Sequence, residues 1–166
     1  MREIYAGAQA LRDSVPPTAT ITLVGGSFDL LHIGHLRFFE RSKAFADVLV
    51  ICVLSDQYVK SYKGPTRPIV GQAHRAGLID GLRCVDRVFI SDIDTSHEDT
   101  LAIIQPTTVV FGVEDTETYR RTAPKRDRFI RSRFPEVRIE YLERFSEESI
   151  STSDLIRRVV STHESP

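Results

Sequence analysis

Seven consecutive apolar residues, Val48-Leu49-Val50-Ile51-Cys52-Val53-Leu54, follow Asp47 and constrain the fold more than any other stretch. A strand with hydrophobic side chains on both faces needs cover on both, which a parallel sheet between two helical layers supplies. The surrounding pattern agrees. An earlier β-rich run, Thr20-Ile21-Thr22-Leu23-Val24, ends in Gly25-Gly26, and helix is predicted from about 34 to 46. Helix is next predicted over 72–82, strand over 86–90, helix over 97–104 and strand over 107–111. Helix over 126–134, a fifth strand over 137–142 and a last helix over 153–161 complete the alternation. The expected fold is therefore α/β: a Rossmann-like, open parallel five-stranded sheet with helices on both faces and right-handed crossovers. Residues 1–19 read as an N-terminal accessory extension, a short helix over about 3–12 stopped by Pro16-Pro17, ahead of a single domain over 20–166.

Composition narrows the function. A net charge of −1 over 166 residues gives no global field to attract nucleic acid or an anionic membrane, so an anion site has to be assembled locally. No apolar run approaches the ~20 residues of a membrane span, and the N-terminus shows no basic flank with an apolar stretch and cleavage site. The two cysteines, Cys52 and Cys84, show neither metal spacing nor a disulfide framework and read as reduced thiols. The expectation is a cytoplasmic protein with no nucleic-acid and no membrane partner.

Chemistry concentrates at the turn after the first strand, Gly25-Gly26-Ser27-Phe28-Asp29-Leu30-Leu31-His32-Ile33-Gly34-His35. In open parallel sheets ligands bind beyond the carboxyl ends of the strands. Glycines let backbone approach a phosphate, and a helix N-terminus presents free N–H groups with a positive dipole end. His32 and His35, three residues apart, can face the same side of the first helical turn. Two imidazoles there can hydrogen-bond the oxygens of a phosphate undergoing in-line displacement, where charge develops in the transition state. The same spacing would also suit a metal, although no cysteine or acidic partner accompanies it, or two ordinary polar residues at a helix start.

The ten residues from Gly26 to His35 resemble the GxFDxxHxGH signature of the cytidylyltransferase-like nucleotidyltransferases, matching it at every fixed position. His-Ile-Gly-His also occurs in class I aminoacyl-tRNA synthetases, but the chain has no second lysine-rich signature and is too short for a tRNA-binding region. Lys63-Gly64-Pro65-Thr66-Arg67-Pro68-Ile69-Val70, followed by Gln72-Ala73-His74-Arg75, is similar to the family's lysine-containing loop and the arginine of the next helix, with His74 replacing the usual glutamate. Ile150-Ser151-Thr152-Ser153-Asp154 is similar to its C-terminal phosphate-holding segment, and hydroxyl residues before a helix suit both capping and phosphate contact. Val110-Phe111-Gly112-Val113-Glu114-Asp115 resembles its glycine-and-aspartate turn. Tyr119, Arg120, Arg121, Lys125 and Arg126 form a basic stretch that suits either an anionic acceptor or solvent.

The resemblance implies transfer of a nucleoside monophosphate from a nucleoside triphosphate to a phosphorylated small molecule, with Mg²⁺ accompanying the triphosphate and a homodimer as the working form. It implies His32, His35 and Lys63 as catalytic residues, with Gly26, Ser27, Phe28, Gly34, Ser151, Thr152 and Ser153 around the nucleotide phosphates. Asp29, Arg75, Asp115 and Arg121 are its weaker candidates for nucleotide or acceptor contact, Asp29 being expected to orient the loop, and no protein-built metal site is implied. CTP is slightly favoured as donor, although Ser146-Glu147-Glu148-Ser149 stands where cytidylyltransferases often carry Arg-Thr-Glu-Gly. The alternative is an adenylyltransferase acting on a heptose 1-phosphate or a flavin-type acceptor. A non-catalytic nucleotide-binding module would be expected to lack His32, His35 or Lys63, and all three are present.

Overall fold

The β-rich run after Pro17 forms the central strand of the sheet. The computed structural model describes residues 7–113, 116–143 and 151–163. β1 (Ile21–Gly26) pairs with β2 (Val48–Leu54) on one side and β4 (Thr108–Val113) on the other. β3 (Arg87–Ser91) and β5 (Arg138–Glu143) form the edges, giving the order β3-β2-β1-β4-β5 with every pairing parallel. Strand order reverses between β1 and β4, which places the ligand crevice of this topology at the carboxyl end of β1.

Helices α1 (Ala8–Asp13), α2 (Ile33–Lys43), α3 (Asp56–Lys63), α4 (Gln72–Asp80), α5 (Glu98–Ile104), α6 (Thr116–Arg133) and α7 (Thr152–His163) complete the described elements. Alternate residues of β1 and β2 enter two separate cores. Leu23, Val50 and Cys52 meet Val59 of α3, Leu101 and Ile104 of α5 and Ile130 of α6. Val24, Leu49, Ile51 and Val53 meet Phe38 and Phe39 of α2 and Ala76 and Ile79 of α4. This two-sided burial is the physical reason β2 is apolar throughout. Leu11 and Val15, which precede β1, also belong to the first core. Burial pushes the Cys52 thiol above its ordinary pKa, so it sits in the core as a small apolar group.

Two elements differ from expectation. α3 has no predicted counterpart, and Lys63, expected on a loop, is its last residue. Only Val59 of its eight residues is fully buried, so the apolar period is faint. Its end signals are in the sequence nonetheless: Ser55 caps it by accepting from the Tyr58 N–H at 3.1 Å, Asp56 lies in the first turn and Gly64 follows at φ 94°. α6 begins ten residues before the predicted start and runs through Pro124, which removes one helical hydrogen bond. Ala123 and Ile130 are both fully buried on this helix, and tertiary packing there outweighs the proline.

Candidate active site

β1 ends in Gly25 and Gly26 because side chains from elsewhere take the space a Cβ would need. A Cβ on Gly25 would lie 2.4 Å from Thr95 Cγ2, and one on Gly26 would lie 2.9 Å from the Phe28 ring. Phe28 and Leu30 then take left-handed backbone angles, φ 47° and 50°. Such angles cost a non-glycine residue about 1–2 kcal/mol each. Burial of Phe28, 6% exposed and edge-on to Phe39 at 5.0 Å, offsets that cost. The Phe28 ring therefore belongs to the core and shapes the turn from beneath, so a phosphate contact by this residue would fall to its backbone.

His32 is the N-cap of α2, and its ring lies on that of His35 with centroids 3.9 Å apart. The His32 backbone N–H donates to His35 Nδ1 at 3.4 Å. In a neutral imidazole that leaves the proton on Nε2, a hydrogen-bond donor on the far side of the ring. Phe28 holds the same ring edge-on at 5.5 Å. Gly34 is required by His32: a Cβ there would stand 3.0 Å from both Cε1 and Nδ1 of that ring. Gly34→Ala should therefore push the His32 ring aside and lower kcat on the order of tenfold. Thermal unfolding should shift by only a few degrees, and unchanged turnover would contradict the packing argument.

Two distant segments close on this turn. Lys63 Nζ donates to Ser27 Oγ at 2.9 Å, and Thr152 Oγ1 donates to the backbone carbonyl of Asp29 at 2.7 Å. Ser151 and Asp154 cap α7 reciprocally: the Ser151 N–H and hydroxyl donate to Asp154 Oδ2 at 3.1 and 2.7 Å, and the Asp154 N–H donates back to Ser151 Oγ at 3.1 Å. The hydroxyls of Ser151 and Thr152 are thus committed to protein partners. The first-turn amides of Thr152 and Ser153 and the exposed Ser153 side chain are what α7 offers an anion. The turn gathers an ammonium, two imidazoles and two helix N-termini, an array suited to a polyphosphate. Among the described residues no three His, Cys, Asp or Glu side chains lie together as a metal cage.

A cytidylyltransferase-like family model matches residues 23–158. The chain belongs to this family. Its relatives include the bifunctional protein HldE of Geotalea uraniireducens, 38% identical over 96 residues that cover 58% of this chain and 19% of that protein. The match thus spans about a fifth of that protein's length. The FAD synthase of Thermococcus onnurineus is 34% identical over 142 residues, 85% of this chain and 91% of that enzyme. Among solved structures, the lipopolysaccharide core biosynthesis protein of Thermoplasma volcanium superposes with a TM-score of 0.57 at 24% identity, covering 77% of this chain and 99% of its own. That likeness bears on the fold alone. The family is one of nucleotidyltransferases, and no described helix is long and apolar enough to cross a membrane.

Within this member of the family, Asp29 and Arg75 are interior struts. Asp29 is 1% exposed, and its carboxylate accepts from Arg67 Nε and from the Ile69 and Val70 N–H groups, each at 2.9 Å. Burial alone would raise its pKa. The two backbone donors and the Arg67 guanidinium outweigh burial and hold it below the ordinary 3.8. With the folded pKa depressed, its contribution is complete above the unfolded pKa near 4 and is lost as the pH falls toward the folded value. Asp29→Asn should cost about 2–3 kcal/mol at pH 7 and distinctly less at pH 3. Equal losses in urea titrations at the two pH values would contradict the linkage.

Arg75 is 1% exposed. Its Nε donates to the Val70 carbonyl at 2.8 Å, one terminal nitrogen donates to the Ser27 carbonyl, and the other to the Leu54 carbonyl at 2.8 Å and to Asp56 Oδ1 at 2.7 Å. A guanidinium engaged on every side by the protein braces the turn, and this internal role is the one its hydrogen bonds describe. Asp115 and residues 144–150, which include the Ser146–Ser149 departure, lie outside the described residues, as does the side chain of Arg121. Of the basic stretch, Arg126 stacks its guanidinium 3.6 Å above the Phe111 ring and donates to the Tyr141 hydroxyl at 3.2 Å.

Proposed function

We propose that this chain transfers AMP from ATP to the phosphate of a small acceptor, releasing pyrophosphate. The observation that carries the reading is the meeting of three sequence-distant segments at one turn: the stacked His32 and His35, Lys63 on Ser27, and Thr152 on Asp29. An acceptor phosphate oxygen attacks the α-phosphorus, the bond from that phosphorus to the α–β bridging oxygen breaks, and pyrophosphate leaves with the electron pair. The acceptor is already anionic at neutral pH, so no general base is needed. Catalysis is then positioning and charge stabilisation.

In this scheme Lys63 contacts the α-phosphate from its place beside Ser27, where a compact ammonium on a flexible stem suits a point-charge role. His32 and His35 donate to oxygens on which charge develops, and the α7 amides hold the β- and γ-phosphates. The donor set fits Mg²⁺ only as a passenger of the triphosphate, because the Asp29 carboxylate is engaged by Arg67, Ile69 and Val70. Mg²⁺ supplies neutralisation of phosphate charge when bound.

For the donor, the stretch from Ser27 to His32 and the Ile-Ser-Thr-Ser-Asp stretch lean slightly toward CTP by resemblance. Support for ATP comes from relatives: the FAD synthase makes a product that contains an AMP moiety, and the HldE proteins weigh on the same side. A phosphorylated flavin and a sugar 1-phosphate are the acceptor classes to test first. The test is pyrophosphate release with Mg²⁺ across ATP and CTP, each paired with riboflavin 5′-phosphate, sugar 1-phosphates, glycerol 3-phosphate and phosphocholine. ATP-dependent release with one acceptor is expected. Release with CTP alone would overturn the donor assignment, and failure of either triphosphate to bind would overturn the reading as a whole.

A further inference from the structure

α3 carries Lys63 at its end, and a row of side chains along the helix connects that lysine to the loop between β3 and α5. Asp94 begins the row. Its Oδ1 accepts from the Ser96 N–H at 2.7 Å and the Ser96 hydroxyl at 2.6 Å, which fixes the carboxylate in a tight turn. Its Oδ2 accepts from the Tyr58 hydroxyl at 3.0 Å. The Tyr58 ring meets the Tyr62 ring edge-on at 5.6 Å, an i,i+4 pair on one helix face. Lys63 Nζ stands 5.6 Å from the Tyr62 centroid, within cation–π range.

The loop that anchors this row is itself seated on the phosphate turn. Thr95 is 4% exposed and fills the space above Gly25, and Asp92 accepts from the hydroxyl of Ser55, the cap of α3. Asp94 therefore shares a frame with Gly25, Gly26 and Ser27. Arg75 ties the start of α3 to that frame through Asp56 and Ser27. Nothing in that brace reaches the far end of the helix, where Lys63 sits, and the aromatic row does.

We infer that Tyr58, anchored by Asp94, is a positioning residue that acts through the Tyr62 ring to hold Lys63 against Ser27 at the reaction centre. The importance of this for turnover rests on the catalytic reading of Lys63. The phenol suits a permanent anchor, since burial and the adjacent Asp94 push its pKa up to about 12 and it stays a donor at every working pH. Tyr62 is the adaptable member of the row, 51% exposed, and can be changed with little effect on the core.

The test measures position and turnover separately. The intact chain, free of ligand, is treated with acetic anhydride, and modification of Lys63 is followed by mass spectrometry against its exposed neighbour Lys60. Tyr58→Phe and Tyr62→Leu should each raise the Lys63-to-Lys60 rate ratio about threefold or more, and Tyr62→Phe should recover most of what Tyr62→Leu loses. An unchanged ratio in Tyr62→Leu, a surface variant that will fold, overturns the inference. Turnover in the pyrophosphate assay supplies the second readout. Tyr58→Phe should lower kcat about fivefold with KM for the triphosphate within twofold, and should add nothing in a Lys63→Ala background. Multiplicative losses in the double variant overturn the relay while leaving the role of Lys63 intact. Full turnover in Lys63→Ala alone overturns that role and leaves the labelling result to judge the anchor.

Discussion

Arg75→Met should destabilise the protein by about 3–5 kcal/mol, a larger loss than any other single change considered, because several buried acceptors lose their donor at once. The guanidinium serves the carbonyls of Ser27, Leu54 and Val70 and the carboxylate of Asp56. An uncompensated buried acceptor costs about 1–3 kcal/mol. The ion pair itself contributes less, since the Asp56 side chain is 33% exposed and water screens it. Arg75→Lys should recover little, because one ammonium cannot span acceptors on three sides of a planar fork. Urea unfolding followed by circular dichroism measures both losses. A loss under about 1 kcal/mol for the methionine variant would show that the carbonyls find other donors.

His35→Ala should lower kcat about 100-fold or more while changing triphosphate affinity only modestly, the signature of a donor engaged chiefly in the transition state. The ring is built into the turn by contacts that include the His32 N–H on Nδ1, the His32 ring and the Phe28 ring. Some loss of stability accompanies its removal, so single-turnover rates and triphosphate binding by calorimetry should be compared in conditions where the variant is folded. Turnover within a fewfold of the parent protein would remove His35 from the mechanism. A proportional fall in affinity and rate would recast it as a ground-state ligand.

The two segments proposed as catalytic differ in how openly the sequence displays them. His32 and His35 are three residues apart in a glycine-bounded turn, so their proximity is a local matter, and a helix start suffices to bring the rings together. Lys63 is one of four lysines in the chain, and only the resemblance of its loop singles it out. Its approach to Ser27 depends on α3, whose eight residues bury only Val59 fully and so barely register as a helix by period. The capping signals of Ser55, Asp56 and Gly64 are present and would have located it. Thr152 likewise reads as a capping hydroxyl. That it closes on the Asp29 carbonyl, 123 residues away in the chain, is a matter of where α7 docks.

Asp29 and Arg75 show the limit most plainly. A charged residue beside a ligand motif looks the same in sequence whether it faces the ligand or the interior. Which of the two it does is set by the acceptors and donors that other segments bring to it, and those are non-local. The layered α/β architecture and the address of the phosphate turn were determined by the chain itself, because apolar period and helix capping act over a few residues and their signals are written contiguously. The inward turn of Asp29 and Arg75, the reach of Lys63 to Ser27 and the aromatic row from Asp94 to Lys63 were decided only in the tertiary structure, where hydrogen-bond satisfaction in a buried volume selects partners that sequence distance conceals.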